Sequence, residues 1–285
     1  LTSRQRVVAA INHQPVDRVP VDLGGTACSG AQVSVVARLR QALGLDAPGT
    51  PVKVVEPYQM LGEVGADLRE ALGIDVVELP KPKNMFGFEN AGWKPWRTFD
   101  GTDVLVPGKF NTEPESSGDI LMYPEGDHSA AASAKMPEGG YYFDSIIRQR
   151  PIDDAKLDPA DNLEDFGPIG EEDLEYYARQ ADELHANTDL AIAANFGGAA
   201  FGDIALVPAP WMKDPKGIRD IEEWYISTVT RREYIKEVFA RQAEIAVENL
   251  GWIHQAVGEK VHIFFMDGTD LASQNSLICS PDVYR

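Results

Sequence analysis

Apolar positions along this chain recur at two periods, and the alternation between them predicts its elements. Val7, Ala10 and Ile11 fall at helical spacing behind Thr2 and Gln5, a capping-box pair, so a short helix opens the chain and His13-Gln14-Pro15 ends it. The run Val19-Pro20-Val21-Asp22-Leu23 predicts a first strand, Gly24-Gly25-Thr26-Ala27-Cys28-Ser29-Gly30 its loop, and Val36, Leu39 and Leu43 one face of the next helix. A helix is expected over residues 59–72, then a second strand, Ile74-Asp75-Val76-Val77-Glu78-Leu79, closed by Pro80. Helical period returns over 171–187, followed by a third strand, Leu190-Ala191-Ile192-Ala193-Ala194, with Asn195-Phe196-Gly197-Gly198 as its loop. Ile235, Phe239, Ala243, Ala246, Leu250 and Ile253 mark one long amphipathic helix before a fourth apolar run at 261–266.

Residues 81–150 interrupt this alternation. There Trp93, Trp96, Gly92, Gly101, Gly118 and several prolines separate short β-prone runs at 103–106 and 119–123, which predicts an antiparallel β insertion, a flap or interface element. Outside it, four parallel strands separated by helices give an α/β fold and fit half of an eight-stranded TIM barrel, whose usual length is roughly 250 residues or more. An open, doubly wound four-stranded sheet is the alternative. Neither a dinucleotide-binding glycine turn nor a Gly-Lys-Ser/Thr phosphate loop occurs. Only eleven residues follow Gln274, too few for a crossover helix and another parallel strand, so residues 1–285 are expected to be the N-terminal part of one larger barrel domain. Such a fragment alone would be inactive and poorly soluble, with open sheet edges.

Candidate chemistry gathers where strands of a parallel sheet end. The fourth run empties into Asp267-Gly268-Thr269-Asp270-Leu271-Ala272-Ser273-Gln274, so Asp267 and Asp270 are candidate acids, bases or substrate acceptors, with a helix cap as the competing role. Ser273 and Gln274 would orient substrate or serve the turn. Thr26, Cys28 and Ser29 in the first loop, and Asn195 and Phe196 after the third strand, are further candidate substrate-binding positions, with small or packing residues as the plainer reading. Trp93 and Trp96 either stack on a flat cofactor or pack the inserted sheet. His262, inside the fourth run, reads as a hydrogen-bonded core residue, and His13, His128, His185 and His254 as loop or helix-surface residues. No metal-ligand set is assigned within the chain.

Composition narrows the function classes. The chain is 44% hydrophobic and 25% charged, enough to bury a substantial core. A net charge of −19 opposes nucleic-acid binding, which needs a positive surface. Ten carboxylates lie between Asp153 and Glu175 against Lys156 alone, a pattern that suits a solvated loop leading into an acidic first helical turn, or a surface that selects its partner by charge. No apolar run approaches the roughly 20 residues of a membrane span, and the first residues lack the features of a signal peptide, so a cytoplasmic protein without membrane partners is expected. Cys28 and Cys279 are too few for a disulfide framework and read as reduced thiols.

Several segments, in order, resemble the uroporphyrinogen decarboxylase superfamily and its methyltransferase-like branch. These are Ser3-Arg4-Gln5-Arg6-Val7 with Asn12-His13-Gln14-Pro15-Val16-Asp17-Arg18-Val19-Pro20-Val21, then Met136-Pro137-Glu138-Gly139-Gly140-Tyr141-Tyr142-Phe143-Asp144. Val207-Pro208-Ala209-Pro210 with Pro215-Lys216-Gly217-Ile218-Arg219-Asp220 follows, and then Gly268-Thr269-Asp270 with Ser273-Gln274 and Ser280-Pro281. The resemblance implies a β/α barrel and an enzyme, and leaves two chemistries. Uroporphyrinogen decarboxylases carry an arginine-rich segment after the first strand that suits a polycarboxylate, whereas this chain has no arginine from Gly24 until Arg38. The decarboxylases' acid after the second strand is likewise absent, since Pro80-Lys81-Pro82-Lys83 follows Leu79.

The branch resembled includes methyltransferases that move a methyl group between a corrinoid and a thiol or folate acceptor such as coenzyme M. The resemblance therefore implies methylcobalamin, free or on a corrinoid protein, as methyl carrier, a small-molecule acceptor and, as one open assembly, a homodimer. In those relatives His-x-Cys and a later Cys hold a zinc ion that activates the thiol. No His-x-Cys occurs here, so zinc ligands are expected beyond residue 285, and a folate acceptor would not need them. A carboxy-lyase of porphyrin biosynthesis is the second reading, and a noncatalytic fragment the third.

Overall fold

The structure is a computed structural model that describes residues 1–266, 268 and 272–284. The capping box forms as its sequence predicts: Thr2 Oγ1 accepts from the Gln5 N–H, Gln5 Oε1 accepts from the Thr2 N–H, and α1 (Ser3–Ile11) follows. Then come α2 (Val33–Ala42), β1 (Val52–Glu56), β2 (Leu61–Gly62), α3 (Ala66–Leu72) and β3 (Val76–Glu78). The inserted region holds β4 (Lys94–Arg97), β5 (Asp103–Val106), β6 (Ile120–Met122), β7 (Ala134–Met136) and β8 (Asp144–Ser145). Last are α4 (Glu171–Asn187), β9 (Ala191–Ala194), α5 (Ile221–Thr230), α6 (Arg232–Val257), β10 (Ile263–Phe264) and the short α7 (Pro281–Tyr284).

The fold is mixed α/β, with three small sheets and no closed barrel among the described residues. One sheet is parallel throughout, in the order β10-β9-β3, with Glu78 opposite Ala193 and Ala193 opposite Ile263. Its two faces differ. Val77, Leu79, Ile192 and Ala194 pack with Tyr177 and Ala181 of α4 and Ile253 and Val257 of α6. On the other face, Val76, Ala191 and Ala193 meet Val7 of α1, with Ile263 beside them. The second sheet, β2-β1-β5-β4, joins β1 and β5 in parallel and the hairpin β4-β5 antiparallel; the third, β6-β7-β8, is antiparallel. Phe86, Phe110 and Phe143 link these two sheets to α2 and α3 in one core. Among the described residues no helix is long and apolar enough to cross a membrane.

Three expected elements differ. The segment at 19–23 is not a strand, because Pro20 offers no N–H and the Val21 N–H goes to the Asp75 carboxylate at 2.9 Å; one ladder-like bond survives, from the Asp75 N–H to the Val21 carbonyl. The four parallel strands expected are therefore three. The helix expected over 59–72 starts only at Ala66, since Met60 turns with φ +56° and residues 61–62 pair with β1. Val52–Glu56, whose Val52 and Val54 alternate into the core, is a strand the apolar pattern had left unassigned.

At the end of the parallel sheet where β3 begins, Asp75 is fully buried and accepts from Arg6 Nη1 at 2.6 Å and from Arg18 Nη1 and Nη2 at 2.6 and 2.9 Å. Arg6 also grips Asp17 through two hydrogen bonds. The opening segment is thus a clamp at the base of the sheet, and its charges are spent on one another.

Candidate functional site

The carboxyl ends of β3 and β9 carry side chains that no packing partner consumes. Val76 and Glu78 project from the same face of β3, the one not covered by α4 and α6, and Val76 is overlaid by Gly25 of the first loop. Gly25 permits this approach, since an added Cβ would come within 2.6 Å of Val76 Cγ1 and 2.5 Å of Asp22 Oδ1. The loop is folded on itself: Asp22 Oδ1 accepts from the Gly25 N–H at 2.9 Å, and Ser29 Oγ accepts from the Thr26 N–H. Asn195 continues the alternation of Ala191 and Ala193 onto the same face.

Glu78 is half-buried, and among the described residues its carboxylate has neither a hydrogen bond nor an ion pair. Its pKa is pushed up to about 7, first by burial and then by the negative charges of Glu56 and Asp22, against the opposing charge of Lys81. Glu56, at the end of β1, is fixed as an acceptor of the Tyr58 and Gln59 N–H groups at 3.1 and 2.7 Å. Burial still raises its pKa, and those two donors and Lys81 only oppose it. Two carboxyls and Asp22 therefore share a neighbourhood with one exposed cation, Lys81. A carboxyl that titrates near neutrality can give and take a proton at working pH.

The first loop's thiol is less suited to chemistry. Cys28 is exposed, yet partial burial and the charge of Asp203 raise its pKa, with Lys81 opposing, so it stays a thiol at neutral pH. Asp203 reaches the same area from the loop after β9: an added Cβ on Gly268 would lie 3.4 Å from Asp203 Oδ2 and 3.3 Å from the Phe265 ring. That loop is pinned from behind by Asn249 of α6, fully buried, which accepts from the Ile169 N–H at 2.9 Å and donates to the Gly167 and Gly198 carbonyls at 3.0 and 2.6 Å.

The residues singled out by sequence divide accordingly. Thr26, Cys28, Ser29 and Asn195 lie at this end of the sheet. Phe196 is buried in the core, edge-on to Tyr177 at 4.8 Å and beside Phe264. Ser273 closes a turn with Ser276, Gln274 is exposed, and Asp267 and Asp270 lie outside the described residues. Trp96 packs on Phe99 and Phe110, while Lys53 sits over Trp93. His262 accepts at Nδ1 from the Ile192 N–H, the role of a structural histidine. Glu78 and Glu56 were not among the expected residues; the signal that could have found Glu78 is a carboxylate closing an otherwise apolar strand.

No group of three or more His, Cys, Asp or Glu among the described residues is arranged to hold a metal. Compared with known protein families, curated proteins and solved structures, the chain matches none.

Proposed function

We propose that this chain belongs to a TIM-barrel enzyme of the uroporphyrinogen decarboxylase-like superfamily, a corrinoid-linked methyltransferase in which Glu78 moves the proton of the acceptor. The parallel order of β3, β9 and β10 supports the barrel reading. So do helices on one face of that sheet and α1 beneath small residues on the other, the arrangement of a barrel wall and its floor. The observation that carries the methyltransferase reading is the charge of the site. Around Glu78 the charges of Glu56 and Asp22, and around Cys28 that of Asp203, are opposed by Lys81, and no arginine lies in the first loop. A polycarboxylate would find too little positive charge there to offset its desolvation, whereas a neutral acceptor suits it.

A bound methylcobamide would supply a methyl group on cobalt. The Glu78 carboxylate accepts the proton of the acceptor S–H or N–H as that atom gains its methyl, and burial keeps bulk water from competing. A carboxyl pushed up to about 7 suits proton transfer in either direction near neutral pH.

A second reading, a decarboxylase of a less charged acid, is favoured by the same carboxyl in its protonated form, since the carbanion left by loss of carbon dioxide needs a proton. Spectroscopy of cobalamin with a thiol or folate acceptor separates the two. Demethylation slowed about 100-fold in Glu78→Gln is expected, the loss of one acid/base group. Carbon dioxide release from a monocarboxylic or dicarboxylic acid without methyl transfer would install the second reading, and neither activity in a well-folded protein would overturn both. Asp270→Ala is expected to slow transfer as well, and an unchanged rate would remove that residue from the site.

A further inference from the structure

A hollow of about 610 Å³ opens between the loop after β3 and the turns of the inserted sheets, lined among others by Lys83, Glu89, Gly92, Gly108, Lys109 and Glu125. Its lining charges balance, Lys83 and Lys109 against Glu89 and Glu125, where the chain as a whole is strongly acidic. Among the described residues Lys83 and Lys109 have no ion-pair partner, whereas Glu125 is held by Lys213 at 3.0 Å, which leaves Glu89 as the lining carboxylate not in an ion pair. In a chain of net charge −19, a recess with two ammonium groups outside any ion pair is a place where an anion meets less repulsion than elsewhere on the surface.

The wall between them is bare backbone. Gly108 donates to the Ala91 carbonyl at 2.9 Å, and an added Cβ there would stand 2.9 Å from the Gly92 carbonyl oxygen, so the two segments touch with no side chain between. Lys109 is steadied at its stem by the turn at Gly126, φ +70°, where an added Cβ would come within 2.7 Å of Lys109 Cβ. Beneath them Phe88 is buried, so the recess has a fixed floor.

We infer that this hollow binds the carboxylate or phosphate group of a small organic ligand between Lys83 and Lys109, with Glu89 accepting from a hydroxyl or ammonium of the same molecule. Lys83 follows Glu78 by five residues, a span of at most about 18 Å, so a ligand anchored here can extend toward the proton-transferring carboxyl. The inference does not depend on methyl transfer.

Backbone amide spectra of the protein titrated with citrate, and separately with inorganic pyrophosphate, test it. Saturable shifts at Gly87, Gly92 and Gly108 are expected with at least one probe, and the probe that gives them names the group. Lys83→Glu and Lys109→Glu should each weaken binding about tenfold, as loss of a charge-assisted contact does, while Lys236→Glu on α6 leaves it unchanged. Absence of saturable shifts with both probes, or shifts that survive in the Lys83→Glu, Lys109→Glu double variant, would overturn the inference. Binding that persists in a protein without methyl transfer would leave it standing while the functional proposal falls.

Discussion

Glu78 couples the proposed chemistry to stability. A carboxyl whose pKa rises on folding binds its proton more tightly in the native state, so it favours folding below the unfolded pKa of about 4.5. That advantage is lost as pH climbs to about 7. The wild type should therefore lose on the order of 2–3 kcal/mol across that window relative to Glu78→Gln, as read from urea unfolding between pH 4.5 and 8. Equal slopes for the two proteins would mean that Glu78 titrates normally. Its location was half legible. An acid closing the run 74–79 is visible in the sequence, but its burial, and after it the charges of Glu56 and Asp22, come from tertiary contacts that no local pattern encodes. Cys28 shows the converse: its loop position was legible, while its unreactive thiol is set first by partial burial and then by the charge of Asp203, far away along the chain.

Helices were the best-read elements. The span expected over 171–187 coincides with α4, because Leu174, Tyr177, Ala181 and Leu184 keep one stripe against α6. The opening helix was equally legible, since its capping box is purely local. Strand β1 was lost because it is short and lies between turns, and the helix at 59–72 was overcounted because nothing in the sequence announces the positive φ of Met60. What α6 does for the site was also hidden: Asn249 looks like an ordinary polar residue on a helix, yet three loop groups depend on it. Asn249→Leu should cost about 2 kcal/mol in chemical denaturation, since two carbonyls and one N–H in partly buried surroundings would lose their partner. It should also slow the proposed reaction by displacing the loop that carries Asn195 and Asp203. A loss below about 0.5 kcal/mol would mean that water replaces the amide fully.

Across the entire chain, the opening segment and the start of β3 are locked by buried charge. Burial by itself would raise the pKa of Asp75, but hydrogen bonds from Arg18 and the Val21 N–H, joined by those of Ser3 and Arg6, lower it. This group therefore stabilises the fold above the ordinary carboxylate pKa and ceases to as pH falls through and below about 4. Asp75→Asn should destabilise by about 3–5 kcal/mol at pH 7, because Arg6 keeps its burial and loses a counter-charge, and the difference should shrink in acid. A neutral effect at pH 7 would assign the clamp no structural weight. The α/β character of the chain was legible from strand and helix alternation. The joining of the inserted region to the rest was not, because β1 and β5 are about fifty residues apart and their parallel pairing is written in neither segment. That pairing bears on any attempt to move the β-rich region as a cassette. Excision at residue 81 would strip β1 of its parallel partner β5 and bare the Val52 and Val54 face, whereas a graft beginning near residue 50 would carry both strands and its own seam with it.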